Sequence, residues 1–192
     1  MKPKKKLLII EPHSDDSIIA IGGFLSKFKD EYEIDFCLVC ASDLEMYHGF
    51  VSREDRLKEY EAYVNHFSGQ WLRPSDNEFE LPLDQESKLD LVPKSKLVKL
   101  VEMAIIDSRP DTLMFMGPSF HHDHTLVYEA VIAALRPTFS WSPSEVCVLE
   151  NPTYVNKGSY NRDISVNAYI ELSEEEVVQK NDLFLALFPS QA

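Results

Sequence analysis

Short apolar runs along the chain alternate with stretches in which apolar residues recur every three or four positions. Residues 7–10 form an unbroken apolar run, as a strand buried on both faces requires, and Glu11-Pro12 closes it. From 18 to 28, Ile18, Ile19, Phe24, Leu25 and Phe28 fall at helical spacing. The pattern predicts a strand over 34–40, a helix over 53–67 with Leu57, Tyr60, Val64 and Phe67 on one side, and a helix over 97–106. Arg109-Pro110-Asp111 leads into an apolar strand at 112–116, followed by a loop and a helix over 126–135. Further strands are predicted at 146–149 and 164–170. Ser173 followed by Glu174, Glu175 and Glu176 marks the start of a last helix, with a hydroxyl to cap it and acid in its first turn.

Alternating strands and helices specify an α/β fold, a Rossmann-like three-layer arrangement with a mostly parallel sheet. At 192 residues with 44% apolar side chains, the chain can bury one ordinary core, so residues 1–192 are expected to form a single domain. The segment 68–93 is the exception to the alternation: long, acidic and proline-containing, with Trp71, Phe79 and Leu81 as anchors, it has the character of a functional or mobile connection.

Charge and cysteine content narrow the function classes. With 32 acidic against 19 basic side chains the net charge is -13, a surface that repels phosphate backbones, so nucleic acid is excluded as a partner. The apolar run behind the basic N-terminus stops at Ile10, too short for a signal peptide or a membrane span, and a cytoplasmic location is expected. Cys37, Cys40 and Cys147 cannot all pair and are expected to be reduced; Cys37 and Cys40 have the spacing of a metal pair but lie within an apolar strand pattern, which favours burial. Gly22-Gly23 lacks the order of a phosphate-cradling loop and is expected to allow close packing of its helix on the sheet.

Candidate chemistry concentrates in two clusters. His13-Ser14-Asp15-Asp16 follows the first strand, and His121-His122-Asp123-His124 follows the strand at 112–116, so both should face the carboxyl edge of the sheet, where ligands bind in open parallel sheets. Three of the six histidines of the chain lie within four consecutive residues, beside an aspartate. Two imidazoles and one carboxylate suit a catalytic zinc, because they fill three positions and leave a fourth open. Asp15 and Asp16 are adjacent, so one can ligate while the other takes a proton. Either alone could instead cap the following helix.

These residues resemble the signatures of the PIG-L, or LmbE-like, family of zinc-dependent N-acetylglucosaminyl deacetylases. His13-Ser14-Asp15-Asp16, behind Pro12, is similar to the family's PHPDDE, and His121-His122-Asp123-His124 to its HPDH. Arg56-Leu57-Lys58-Glu59 is similar to its R-x-x-E, and Ser190-Gln191 to its late SQ. The resemblance implies zinc (Zn2+) on His13, Asp16 and His124, Asp15 as general base, His121 as the group that steadies the oxyanion or protonates the leaving amine, Asp123 as its orienting partner, and Arg56 as a substrate contact. Ser14, Ser17 and His122 depart from the pattern without removing a ligand, and Phe188 stands where a histidine is common. The implied activity is removal of an N-acetyl group from an N-acetylglucosamine-type amino sugar or its conjugate. The alternatives are an amidase for a non-sugar N-acyl amine and a catalytically silent sugar-binding protein. The expected partner is a small amino-sugar substrate, with a homo-oligomer left open. Trp71, Trp141, Tyr154 and Tyr160 could stack on a sugar, but large aromatics more often anchor cores and loops.

Overall fold

Lys5–Glu11 form the central strand β1, whose last five residues are all buried, as an unbroken apolar run demands. The computed structural model describes residues 3–46, 49–136, 140–150 and 167–191. Within them β1 is followed by α1 (Asp16–Phe28), β2 (Tyr32–Leu38), a hairpin of β3 (Leu44–Met46) and β4 (Gly49–Val51), and α2 (Arg53–His66). Then come β5 (Gln70–Trp71), α3 (Lys94–Ser108), β6 (Thr112–Met116), α4 (His122–Ala134), β7 (Glu145–Leu149) and α5 (Glu174–Leu187). Five strands form one sheet in the order β5-β2-β1-β6-β7, every pair parallel.

The period of two along β1 divides its side chains between two layers. Leu7 and Ile9 pack with Leu25 of α1, Tyr60 and Tyr63 of α2, and Phe188 behind α5. Leu8 and Ile10 pack with Leu100, Val101 and Ala104 of α3 and Val127, Ala130 and Val131 of α4. Each such Leu or Ile contributes about 1.5–3 kcal/mol on burial. The result is the three-layer α/β fold that the alternation specifies. The chain leaves β1 towards β2 on one side and later returns to β6 on the other, so the order reverses beside β1, where open sheets form a crevice for ligands.

Several elements differ from the sequence pattern. The segment 68–93 is bound to the body throughout: Gln70–Trp71 pairs with β2, Leu83 bridges to Cys40, and Leu81, Leu83, Leu89 and Val92 are buried. Its pieces are too short for either periodicity to register. Helix α4 begins at His122 rather than near Leu126, because its first turn is polar. The strand expected at 164–170 falls partly outside the described residues, and 167–170 carry no regular structure. Gly22 and Gly23 face the C-terminal part of the chain rather than the sheet: a Cβ on Gly23 would collide with the Leu172 side chain, and one on Gly22 would meet Ile18 and Lys180. Cys37 and Cys40 are buried free thiols, and Cys147 is partly exposed and free. No helix among the described residues is long and apolar enough to cross a membrane.

Helix α1, which opens with Asp16, is kinked at Ile21 (φ -130°, ψ 15°), and the carbonyl of Ile19 accepts a hydrogen bond from Lys180 Nζ of α5 at 2.5 Å. Partial burial depresses the Lys180 pKa. Replacing the lysine leaves that carbonyl without its donor. Lys180→Met is therefore expected to lower stability by about 1–2 kcal/mol, read as a fall in the denaturant midpoint; an unchanged midpoint would show that the kink needs no support from α5.

Candidate active site

Both motifs lie at strand ends. Chain leaving β1 passes through Glu11-Pro12 and turns so that the Asp16 N–H meets the His13 carbonyl at 3.4 Å, while Asp16 Oδ2 accepts the His13 N–H at 2.9 Å. Asp15 occupies the N-cap position of α1, yet its side chain makes no cap hydrogen bond. Neither aspartate serves as a helix cap. His121 occupies the equivalent position before α4, with His122, Asp123 and His124 in the first turn.

The folding of these two turns brings donor atoms of three residues together. His13 Nδ1 lies 3.4 Å from Asp16 Oδ2, His124 Nε2 lies 3.3 Å from Asp16 Oδ1, and the two ring nitrogens are 3.3 Å apart. All three residues are buried. Ligand atoms about 2.0–2.1 Å from a tetrahedral zinc lie about 3.3–3.4 Å from one another. The three residues therefore form a triangle whose contacts, made through both Asp16 oxygens, approach that spacing, and its donor types suit a divalent ion with one coordination position open.

The electrostatics of the pocket favour a cation there. Burial opposes a charge on His13, but Asp123 and Asp16 outweigh it and hold the ring's pKa well above the usual histidine range. Burial likewise opposes ionisation of Asp16, yet His124 and His13 hold its carboxyl far below the usual range. For Asp15, burial and then the neighbouring Asp16 charge push the pKa up to about 6, with His13 and Arg56 pulling the other way. Two adjacent, chemically identical carboxyls are thus driven apart, the separation of roles that acid–base sites use.

Asp123 has no exposed surface. Its Oδ2 lies 3.1 Å from His13 Nε2, and its oxygens accept the N–H groups of Ser87 at 2.7 Å and Leu89 at 3.4 Å. His122 Nε2 lies 3.1 Å from Oδ1. A carboxylate on the far nitrogen of a ligating histidine fixes its tautomer and raises its basicity. His121 Nδ1, the group Asp123 was expected to orient, lies at 3.9 Å; the His121 ring instead packs edge-on against His13, with centroids 4.5 Å apart, and burial followed by the His13 charge lowers its pKa.

Arg56 is only 3% exposed. Its Nη1 forms a buried ion pair with Glu86 and donates to the Ser42 carbonyl at 3.1 Å. Glu59, one helical turn further along α2, accepts the Ser190 N–H at 2.9 Å and the Ser190 hydroxyl at 2.6 Å. The two weaker motif matches therefore meet each other in space. Trp71 packs on Tyr60 with centroids 4.9 Å apart, Trp141 is partly buried against the core, and Tyr154 and Tyr160 lie outside the described residues.

The GlcNAc-PI de-N-acetylase model, PIG-L, matches residues 8–135, which include every residue of both turns. The chain belongs to the PIG-L family. No curated protein matches the sequence. Among solved structures, the zinc-inhibited form of teicoplanin deacetylase Orf2 superposes with a TM-score of 0.69 at 16% identity, over 97% of this chain and 84% of that one. N,N'-diacetylchitobiose deacetylase from Pyrococcus horikoshii gives 0.54 at 24%, over 100% and 72%. GalB, the 4-carboxy-2-hydroxymuconate hydratase from Pseudomonas putida, gives 0.55 at 15%, over 98% and 79%. The PIG-L fold thus carries both deacetylases and a hydratase, and the fold alone does not select the reaction.

Sequence reasoning passes over Glu86 and Ser87, in the segment without periodicity, and Glu11. Glu11 sits fully buried at the end of β1, where an ionisable residue closing an apolar strand is the signal that could have found it. Its carboxyl takes the Tyr60 hydroxyl at 2.6 Å and the Ser17 N–H at 2.9 Å, and Ser17 Oγ pairs with Tyr63 Oη at 2.8 Å.

Two outcomes follow from this geometry. Asp16→Ala is expected to lose most bound metal, since it removes one of three protein ligands; metal analysis returning about one ion per chain for the variant, as for the wild type, would contradict the triangle. Burial raises the Glu11 pKa from 4.5 to about 8, so between those values the folded protein binds a proton that the unfolded chain has released. Its contribution to stability therefore falls as pH rises through that window. In metal-free protein, the melting temperature of the wild type should drop from pH 5 to pH 8 relative to Glu11→Gln, and parallel curves would mean that Glu11 is ionised in the fold.

Proposed function

We propose that the chain is a zinc-dependent hydrolase that removes the N-acetyl group of an N-acetylglucosamine-type amino sugar or its conjugate. The observation that carries this reading is the His13–Asp16–His124 triangle of residues, in contact at 3.3–3.4 Å through both Asp16 oxygens and flanked by Asp15 and His121 in a chain of a de-N-acetylase family. The likeness to teicoplanin deacetylase and to N,N'-diacetylchitobiose deacetylase, the second named for an N-acetylated sugar, supports the substrate class.

Bound zinc would polarise the amide carbonyl and make water acidic near neutral pH. The chain's own groups handle the protons. Asp15, whose carboxylate caps no helix N–H, takes a proton from the attacking water. The water oxygen bonds to the carbonyl carbon, His121, half-buried beside His13, steadies the intermediate, and the proton that Asp15 took passes to the departing nitrogen as the C–N bond breaks. The products are acetate and a free amine. Asp123 supports the step from behind by holding His13. A binding protein would need no base beside its ligand set, which sets the silent reading aside.

Acetate release from N-acetylglucosamine and N,N'-diacetylchitobiose, with and without a chelator, tests the reading. Chelator-sensitive release is expected; release only from non-sugar N-acyl amines would move the substrate class, and no release from either would remove the hydrolase. Asp15→Asn should keep its metal and its fold while hydrolysis slows by roughly 10² to 10⁴, the contribution of a positioned general base. Full activity in that variant would remove the proposed base.

A further inference from the structure

The connection that follows β5 places Ser87 over the active site in an uncommon backbone state. Ser87 has φ 61°, in the left-handed region, one of three non-glycine residues with positive φ among those described. A glycine would adopt that conformation without strain, whereas an L side chain there is disfavoured. The conformation has a consequence for both ends of the residue. Its N–H donates to Asp123 Oδ2 at 2.7 Å, and its hydroxyl Oγ lies 3.4 Å from His121 Nε2. The other ring nitrogen, His121 Nδ1, is buried without a hydrogen-bond partner, 3.9 Å from Asp123 Oδ2.

Neighbouring contacts clamp this turn. Glu86, immediately before Ser87, accepts the Ser42 N–H at 3.2 Å and pairs with Arg56, and its own N–H donates to Ser42 Oγ at 3.0 Å. Lys88 N–H closes the turn on the Gln85 carbonyl at 2.8 Å. Ser87 is thus held from behind by a buried ion pair while its own two polar groups point at two residues of the same site.

We propose that Ser87 is a positioning residue for the hydrolysis: its hydroxyl holds His121 Nε2 towards the cleft while its N–H holds Asp123, so that one left-handed residue sets the geometry of both. Serine at this position supplies what glycine would not, a side chain that reaches His121. The inference rests on the deacetylase reading of His121.

The test uses the metal-loaded full chain and four variants. Ser87→Ala removes the hydroxyl, and Ser87→Gly removes it while relieving the backbone. Both are expected to lower kcat for acetate release by about tenfold, the worth of one such hydrogen bond, with KM and bound metal unchanged. The melting temperature of Ser87→Gly should equal or exceed that of the wild type. Ser87→Ala should cost nothing further in a His121→Ala background, since it acts through that ring. Carbethoxylation of His121 by diethyl pyrocarbonate, followed by mass spectrometry with His122 as internal reference, reads the same contact without substrate. Loss of the hydroxyl should speed modification of His121 severalfold. Unchanged kcat and unchanged modification in Ser87→Ala would overturn the proposal, as would losses of activity that track losses of metal or melting temperature. If His121→Ala keeps full activity, or the wild type releases no acetate, the deacetylase reading fails instead, and the modification rates still decide whether Ser87 holds His121.

Discussion

Asp123 has no contact with solvent, so both of its carboxylate oxygens must find donors inside the protein, and an ionised carboxylate left short of partners would cost several kcal/mol. The donors come from separate parts of the chain: His13 behind β1, His122 from the first turn of α4, and the Ser87 and Leu89 N–H groups from the connection after β5. Satisfying this one group pins three segments at the carboxyl edge of the sheet. It also fixes the ring of His13, and with it the nitrogen that faces Asp16 and His124.

A second buried charge repeats the device at lower level. Arg56 of α2 and Glu86 form an ion pair beneath the same connection, with the Ser42 carbonyl completing the guanidinium's partners. Buried pairs of this kind add little to net stability but leave a costly uncompensated charge if either member is removed. Their use here is placement. The connection that reads by composition as functional or mobile is fixed beside the site, because an arginine on one side and an aspartate on the other each require what it carries.

Sheet topology explains why chemistry can gather at one point. Parallel strands deliver all their carboxyl ends to one edge, and β1 and β6 are direct neighbours, so two turns more than a hundred residues apart in sequence meet across a single strand spacing. The apolar core then carries the stability of the domain. Leu7 and Ile9 anchor one layer and Leu8 and Ile10 the other, leaving the strand ends free to hold polar groups that contribute function instead.

Periodicity made the layered α/β fold legible, since buried parallel strands need unbroken apolar runs and their flanking helices need one apolar face. The two histidine–aspartate turns were legible too, because their position after strands already placed them on the carboxyl edge. Local pattern carried no information on the partners of Asp123, Arg56 and Glu59. Asp123 turned out to hold His13 more closely than His121, Arg56 to pair with Glu86, and Glu59 to bind Ser190. Short-range periodicity records which face of an element is buried. Which donor meets a buried charge depends on contacts between residues distant in sequence, and only the tertiary structure decides those.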